Sequence, residues 1–404
     1  MKRIVVAGAS LAGLRAAESL RGNGFTGELV IIGAEPHEPY DRPPLSKAVL
    51  AGRLGTDHLQ LPVARGLDAD WRLGCPATGL DLTAREVLAG ADRIGFDGLV
   101  IATGAGARPG PPGTHVVRTR DDADRVRRAL AAGPSRVLVV GAGFTGSEVA
   151  SSCVELGLPV TVVHRGATPM GSVLGDTVGA ALGTRQRAHG VDLRTRTTLS
   201  GLDGDLATLS DGTRLNAEAV VMATGSVPHT AWLLGSGVSA GPSGVDCDAA
   251  CRVFDTGGAV IPGVYTAGDV ARWRHPRFAA PPRRFEHWGN ALDQADVAAH
   301  NLCGGPRREV TALPAFWSDQ FGLNIKAIGL PQLADDVVLA QGSFERRSFV
   351  AVYGRGGITV GAVAVDSPRV LDGYAAMIAE RAPFPPAIGA TDSPELVTVP
   401  GGVA

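Results

Sequence analysis

Paired cysteines are missing from this chain. Its cysteines are odd in number and form no CxxC motif: Cys75, Cys153, Cys247, Cys251 and Cys303. A disulfide scaffold, a structural zinc site and a redox-active dithiol all need paired or clustered thiols. The sequence therefore argues against each of these and predicts no metal site. Lysine is also scarce, because only Lys2, Lys47 and Lys326 occur among the 38 basic residues.

Long apolar runs and long basic runs are absent as well. No apolar run approaches the roughly 18 residues that a membrane span needs, and no charged-then-apolar leader precedes Ile4. We therefore expect a cytoplasmic protein without a membrane partner. The formal net charge of −2 and the lack of a basic stretch argue against a nucleic-acid partner. At 404 residues, the chain is long enough for two or three domains.

Glycine is abundant, at 55 residues, and much of it marks a unit that occurs twice. The first copy has a strand at 2–7, a glycine turn at 8–13, a helix-patterned segment at 14–20 and a second strand at 29–32. It closes with a strand at 96–105 that runs into Ala-Thr-Gly. The second copy repeats this order at 136–140, 141–146, 147–156, 160–163 and 219–228. One such turn is weak evidence, but two in the same context predict two βαβ dinucleotide-binding units.

The glycine turns supply the candidate nucleotide contacts. In such a turn the glycines permit the tight bend, the approach of a pyrophosphate and close packing of helix on strand, while the helix N-terminus attracts the phosphates. The first copy has Ser10 at the second glycine position, which makes the approach more crowded without abolishing the site. Its candidate residues are Gly8, Ser10, Ala12, Gly13, Ala102, Thr103 and Gly104. Those of the second copy are Gly141, Gly143, Phe144, Thr145, Gly146, Thr224 and Gly225.

A third glycine motif follows the second unit. The stretch TAGD at 266–269 predicts a short strand that turns at Gly268 and presents Asp269. A carboxylate held in this way can accept hydrogen bonds from the hydroxyls of a ribityl chain, which FAD has and NAD lacks. Because the motif comes after the second unit, the chain is expected to return and complete the first domain around FAD.

The order of these motifs resembles that of the oxygenase-coupled ferredoxin reductases, over the whole chain. The most specific pieces are RPPLSK at 42–47, EHWGNA at 286–291 and FWSDQ at 316–320, since the glycine motifs are shared with many flavoproteins. The resemblance implies an α/β fold of glutathione-reductase-like architecture, with two Rossmann-like dinucleotide-binding domains, for FAD and NAD(P), and a C-terminal αβ domain. The last part fits a hairpin turning at 355–357 and an amphipathic segment at 370–381.

The resemblance also implies domain bounds and an activity. The FAD domain has two segments, 1–108 and 242–312, the NAD(P) domain spans 109–241, and the C-terminal domain spans 313–404. The implied enzyme is an FAD-dependent ferredoxin reductase, which takes a hydride from NAD(P)H. It passes single electrons to an iron–sulfur ferredoxin, which feeds an oxygenase such as a haem-thiolate monooxygenase.

Lys47 and Glu148 are the catalytic candidates. In the resembling family, this lysine lies beside the flavin ring and pairs with the glutamate of the second glycine turn; a solvated loop lysine is the alternative. Pro43 and Pro44 fix their own φ and disfavour a helical Arg42, so we expect Arg42 to be extended and to meet the pyrophosphate. The remaining flavin-flanking candidates are Glu286, His287, Trp288 and Trp317, with core packing as the alternative for each tryptophan.

Three residues bear on the ribose groups. Glu35, at the end of the second strand, is the candidate for the adenosine ribose of FAD, although the family often has its acid one position earlier. The matching place in the second unit holds His164 and Arg165, not an acid. An arginine there can meet a 2′-phosphate, so the sequence favours NADPH, or use of both nucleotides.

The ferredoxin partner has a candidate docking surface, with a merely solvated basic loop as the alternative. Five arginines between the TAGD and EHW motifs suit an acidic partner: Arg272, Arg274, Arg277, Arg283 and Arg284. A flavin-dependent monooxygenase and a flavoprotein of the apoptosis-inducing-factor type remain alternative functions. Disulfide and peroxide reductases of similar architecture need cysteine where this chain has RPPLSK.

Overall fold

The computed structural model describes residues 1–367, 370–386 and 397–399. Within these ranges the α-helices are α1 Leu11–Gly22, α2 Arg120–Ala131, α3 Phe144–Glu155, α4 Gly171–Ala188, α5 Trp288–Leu302 and α6 Leu371–Glu380. None of the described helices is long and apolar enough to cross a bilayer. Short 3₁₀ turns at Pro43–Ser46 and Gly268–Val270 contain two of the sequence motifs.

The strands of the first half lie among the first four helices. They are β1 Arg3–Ala7, β2 Glu28–Ile32, β3 Asp70–Arg72, β4 Ala77–Asp81, β5 Glu86–Ala89, β6 Asp92–Gly95, β7 Gly98–Ile101, β8 Ala105–Ala107, β9 His115–Val116, β10 Val137–Val140, β11 Val160–His164, β12 Asp192–Thr195, β13 Leu199–Asp203, β14 Leu206–Leu209 and β15 Arg214–Asn216.

The strands of the second half end in an antiparallel group. They are β16 Ala219–Met222, β17 Ser226–Pro228, β18 Ala240–Gly241, β19 Gly244–Cys247, β20 Arg252–Phe254, β21 Val260–Thr266, β22 Ala271–Trp273, β23 Arg283–Arg284, β24 Ala315–Gln320, β25 Leu323–Gly329, β26 Asp336–Gly342, β27 Phe349–Arg355, β28 Ile358–Val365 and β29 Val397–Val399.

The chain forms two compact units, each assembled from separate segments. Unit 1 contains Met1–Asp41, Leu59–Gly106 and Ser226–Pro314. Unit 2 contains Arg42–His58, Ala107–Gly225 and the described residues from Ala315 onward. The first βαβ copy and the TAGD motif lie in unit 1, and the second copy lies in unit 2. The domain bounds drawn from the sequence stay a prediction.

A parallel sheet with alternating faces forms the core of unit 1. β1 pairs in parallel with β2 and β7, and β7 pairs in parallel with β21. Ile4 and Val6 pack with alanines of α1 and α5 in one cluster, while Val5 and Ala7 belong to the cluster on the other side. This alternation follows from the two-residue period of a strand. β1 ends at Ala7, so the glycine turn from Gly8 to Gly13 lies at the carboxyl end of this strand.

Unit 2 contains a parallel sheet and an antiparallel sheet. The parallel sheet has the order β12-β11-β10-β16-β9, and the antiparallel sheet has the order β24-β25-β28-β27-β26-β29. β27 ends at Arg355 and β28 begins at Ile358, as the predicted hairpin requires. The buried Tyr353 of β27 donates its hydroxyl hydrogen to the carbonyl oxygen of Leu174, at 2.6 Å. It thereby ties the sheet to α4, just before Gly175 interrupts that helix with φ +75°.

The prediction of an extended Arg42 is wrong. Arg42 has φ −86° and ψ −33°, in the right-handed helical region, and directly precedes the 3₁₀ turn Pro43–Ser46. The amide of Leu45 donates to the carbonyl oxygen of Arg42 at 2.9 Å, which closes the turn. A following proline only disfavours the helical region, and here the hydrogen bond of the turn outweighs that preference.

Candidate functional site

The glycine turn of unit 1 depends on close backbone approach. Gly8 has φ +127°, and a Cβ atom there would lie 2.0 Å from the carbonyl oxygen of Ala102. A Cβ atom at Gly13 would lie 1.7 Å from the carbonyl oxygen of Gly8. Neither position can hold a side chain without moving the backbone. Ser10 immediately precedes α1, so the positive end of this helix lies in the turn, as binding of a diphosphate requires.

The glycine turn of unit 2 repeats this geometry with one difference. A Cβ atom at Gly141, which has φ +108°, would lie 2.3 Å from the carbonyl oxygen of Ala223. One at Gly146 would lie 1.9 Å from the carbonyl oxygen of Gly141. Gly143, the residue before α3, faces open space, with no heavy atom within 4 Å of such a Cβ. The turn is therefore tight inside and open outside, which fits a bound pyrophosphate.

The TAGD turn lies against the start of α1 in unit 1. Gly268 has φ +79°, and its Cβ would lie 3.0 Å from the Cβ of Ala12. The amide of Gly268 donates to Oε1 of the buried Gln294, at 2.9 Å. Arg284 Nη1 donates to the carbonyl oxygen of Asp269, also at 2.9 Å. The chain thus returns to the first glycine turn as expected, with Gln294 of α5 as a supporting residue that sequence reasoning missed.

Lys47 and Glu148 form an ion pair in unit 2. The distance from Lys47 Nζ to Glu148 Oε2 is 2.8 Å, and the two side chains are 17% and 7% exposed. Ser46 Oγ donates to Glu148 Oε2 and Ser318 Oγ donates to Glu148 Oε1, each at 2.5 Å. A buried carboxylate is costly unless its oxygens are satisfied, and here both are. Lys47 is therefore not a solvated loop lysine.

The two serines were not identified from the sequence. Ser318 lies in the FWSDQ motif, and it is the fully buried residue between Trp317 and Asp319 on β24. A small polar residue at an inward position of a strand is the signal that could have indicated a buried partner. On the same strand, the ring of Phe316 lies 4.8 Å from that of Phe144, between centroids.

Both candidate tryptophans are partly exposed. Trp288 is 37% exposed in unit 1 and Trp317 is 40% exposed in unit 2, so neither is a core residue. Trp288 Nε1 donates to Oδ1 of Asp41 at 3.1 Å, which fixes the ring at the start of α5.

The other unit 1 candidates are held by polar contacts. Tyr40 Oη donates to Glu35 Oε2 at 2.5 Å. Thr103 Oγ1 donates to the carbonyl oxygen of His229 at 2.9 Å. Glu286 accepts from Ser226 Oγ at 2.6 Å and forms an ion pair with Arg284 at 2.9 Å. Ala102 and Gly104 flank Thr103 at the end of the closing strand. These contacts fix the orientation of each side chain.

Two of the unit 2 candidates, Arg42 and His164, form hydrogen bonds with backbone groups. Arg42 Nη1 donates to the carbonyl oxygen of Arg118 at 2.8 Å, so part of its guanidinium is already engaged. His164 Nδ1 accepts from the amide of Ala142 at 3.3 Å, which requires a ring unprotonated at that nitrogen. Burial lowers the pKa of His164. Arg165 is exposed, as are Thr145, Thr224 and Gly225.

The arginine segment is partly a strand pair: Arg272 lies in β22, Arg283 and Arg284 form β23, and Arg274 and Arg277 lie between the two strands. β22 and β23 pair in antiparallel fashion, with Arg272 opposite Arg284. Arg272 forms an ion pair with Asp246 at 2.5 Å, and Arg284 is paired with Glu286. Arg274, just after β22, is exposed. The predicted basic surface is therefore partly neutralised, and Arg274 is its most available charge.

The cysteines are free, and the one near the ion pair is inert. Cys153, in α3, is fully buried, and burial raises its pKa to about 12. A thiol with such a pKa is not a nucleophile at neutral pH. Burial also raises the pKa of Cys247 and Cys251.

Comparison with known proteins assigns this arrangement to a family. Residues 2–295 match the family described as pyridine nucleotide-disulphide oxidoreductase, and residues 315–399 match the family described as reductase C-terminal. The chain belongs to the pyridine nucleotide-disulphide oxidoreductases. The family implies FAD and NAD(P)H as cofactors. The predicted fold class, with two Rossmann-like domains and a C-terminal αβ domain, is confirmed.

Relatives of this reductase are ferredoxin reductases of oxygenase systems. A ferredoxin–NAD(P)(+) reductase of Sphingomonas is 34% identical over 91% of this chain and 90% of its own length. Putidaredoxin reductase of Pseudomonas putida is 30% identical over 95% and 93%. The crystal structure of the covalent putidaredoxin reductase–putidaredoxin complex matches with a TM-score of 0.87 and 29% identity, over 95% and 94%. The predicted resemblance to these reductases is confirmed. The prediction that this protein is an oxidoreductase is confirmed as well.

A pair of alanine substitutions tests the second glycine turn. Gly146→Ala forces a Cβ to within 1.9 Å of a carbonyl oxygen, and we expect it to lower the free energy of unfolding by about 1–3 kcal/mol. Gly143→Ala meets open space, so its melting temperature should equal that of the wild type while its affinity for NADPH falls. Thermal melts and equilibrium nucleotide titrations measure the two effects. Unchanged affinity in Gly143→Ala would show that the diphosphate does not use this turn.

His287 predicts a pH dependence of stability. Burial lowers its pKa from 6.5 to about 4, so between these values the unfolded chain binds a proton that the folded chain does not. Stability from this group is therefore complete above pH 6.5 and falls as the pH drops to 4, by about 3 kcal/mol. Between pH 7 and pH 4, the free energy of unfolding of His287→Asn should fall by about 3 kcal/mol less than that of the wild type. Urea unfolding at the two pH values measures this difference. Parallel losses would contradict this assignment.

Proposed function

We propose that this protein is an FAD-dependent ferredoxin reductase that takes a hydride from NAD(P)H and delivers single electrons to an iron–sulfur ferredoxin of an oxygenase system. The observation that carries the proposal is the buried Lys47–Glu148 pair, in a chain with two dinucleotide turns. Its 42–47 stretch has no cysteine, which argues against a disulfide or peroxide reductase. Relatives that are ferredoxin reductases support the same activity.

FAD supplies the conversion of one hydride into two single electrons when it is bound. We assign its diphosphate to the turn that begins at Gly8. Asp269 would accept hydrogen bonds from the ribityl hydroxyls, and Glu35 would accept from the adenosine ribose. Trp288 is a flanking residue, because it is half-exposed and held by Asp41 at the start of a helix.

Lys47 supplies a fixed positive charge in this proposal. Glu148 holds the ammonium group in one orientation and offsets the cost of its partial burial, while Ser46 and Ser318 hold the carboxylate. Beside a bound flavin, the ammonium group of Lys47 would favour the reduced ring, which carries negative charge. The pair therefore acts on hydride transfer rather than on binding of the nucleotide.

The nucleotide preference follows from the end of β11. His164 is turned back onto the amide of Ala142, so it does not occupy the ribose position as a cation. The exposed Arg165 is then the charged residue of this segment, and no acid follows the strand to accept from a 2′-hydroxyl. We propose that the enzyme prefers NADPH or uses both nucleotides.

Purified protein tests the proposal directly. We expect a yellow protein with a flavin absorbance spectrum, which reduces an iron–sulfur ferredoxin of an oxygenase system with NAD(P)H. Oxygen insertion into a substrate without ferredoxin would favour a monooxygenase instead, and slow turnover with every acceptor would favour a signalling flavoprotein. A colourless protein that takes up no FAD would overturn the proposal.

In the same assay, Arg274→Glu should slow the reduction of ferredoxin and leave the reduction of a neutral dye unchanged, with the difference shrinking at high salt.

Replacing Lys47 tests its assigned role. Lys47→Ala removes the charge that favours the reduced ring, and we expect reduction of the bound flavin by NADPH to slow by about ten- to a hundredfold. Stopped-flow absorbance measures this rate, and the flavin midpoint potential should fall in the same variant. Lys326→Ala, on β25, removes a lysine outside the pair and serves as the control. Equal rates in both variants would disprove the role of Lys47.

A further inference from the structure

Two parallel strands of unit 2 bring a second arginine next to Arg165. β11 and β12 pair in parallel, and His164 lies opposite Thr195 in the last paired position. Arg165 directly follows β11 and Arg196 directly follows β12, so both residues lie at the same edge of the sheet, next to each other in sequence register. The amide of Arg196 donates to the carbonyl oxygen of Gly166 at 2.9 Å, which joins the two segments directly.

The backbone around Arg196 is fixed. Its φ of +55° is uncommon for a residue other than glycine. The amide of Thr197 donates to the carbonyl oxygen of His164 at 3.0 Å, and with the Gly166 contact this bond holds the strand end in place. The position of Arg196 is thus set by β11, the strand that ends at the ribose position of a dinucleotide unit.

The two guanidinium groups are available for a ligand. Both arginines are exposed, and within the described residues neither side chain has a hydrogen-bond or ion-pair partner. Two acids that contact these segments are already engaged, because Asp176 accepts from Thr168 Oγ1 at 2.7 Å and Asp192 accepts from Arg194 Nε at 2.9 Å. The loop after Arg165, GATPM at 166–170, contains no other basic residue. A second cation for a dianion can therefore come from Arg196, the residue that follows β12.

We propose that Arg165 and Arg196 together form a subsite for a phosphomonoester, the 2′-phosphate of NADPH. A phosphate dianion matches guanidinium groups because each can donate two parallel hydrogen bonds to its oxygens. The neutral hydroxyl of NADH gives the same groups no charge to bind. Arg196 is therefore a specificity-determining residue. The inference depends on the proposed dinucleotide site of unit 2, and it is independent of the ferredoxin partner.

Binding of two adenine nucleotides to the flavin-loaded protein tests this subsite without turnover. Adenosine 2′,5′-bisphosphate carries the 2′-phosphate, and 5′-AMP lacks it. By titration calorimetry at constant ionic strength, we expect the wild type to bind the bisphosphate at least about tenfold more tightly. Arg196→Gln and Arg165→Gln should each lose most of that preference while they bind 5′-AMP as the wild type does. Arg196→Lys should keep part of it.

Arg194→Gln is the matched control, because it removes an arginine of the same strand whose guanidinium is already paired with Asp192. It should keep the wild-type preference, and the ratio of kcat/KM for NADPH to that for NADH should follow the same order among the variants. Loss of preference in Arg165→Gln alone would overturn the role of Arg196. Wild-type protein that binds both nucleotides equally would overturn the subsite, while leaving the dinucleotide site intact. Protein that binds neither nucleotide would overturn the site itself.

Discussion

A buried carboxylate needs donors for both of its oxygens, and Glu148 finds them in two other stretches of unit 2. Lys47 and Ser46 come from the segment Arg42–His58, Ser318 comes from β24, and Glu148 itself lies on α3. The segment Arg42–His58 is flanked in sequence by parts of unit 1, yet it belongs to unit 2. The hydroxyl of Ser152, also on α3, donates to the carbonyl oxygen of Ser46 and strengthens this attachment. The carboxylate thus fixes both a catalytic candidate and the course of the chain.

The two dinucleotide turns show which glycine positions the fold requires and which can hold another residue. In both copies, the outer glycines are required by contact with a neighbouring carbonyl oxygen, so a side chain would displace the backbone. The middle position differs, with Ser10 in the first copy and Gly143 in the second. Because the space at Gly143 is open, that position is constrained by the ligand rather than by the fold. A serine can therefore replace the glycine without loss of the turn.

The arginines of this chain have two different roles. Arg272 forms an ion pair with Asp246 on the neighbouring strand β19, and Arg284 forms one with Glu286, two residues further along the chain. Arg165 and Arg196 are exposed and lack such partners among the described residues, so their charges stay available to an anion. All four lie in or directly after a strand of an arginine-rich chain, and the sequence alone does not distinguish them. Their surroundings decide which of them contribute to stability and which to recognition.

Local rules were enough to predict the two βαβ units, the TAGD turn and the C-terminal hairpin, because strand alternation, helix periodicity and glycine conformation act over a few neighbouring residues. They also indicated Lys47 and Glu148, through a family motif. Sequence reasoning could not assign Ser318 to Glu148, since 170 residues separate them. It gave the wrong conformation for Arg42, because a hydrogen bond in the turn outweighed a steric preference. The sequence by itself determined the elements and their glycine turns, whereas the tertiary structure alone decided which charges are paired, because pairing depends on contacts between distant segments.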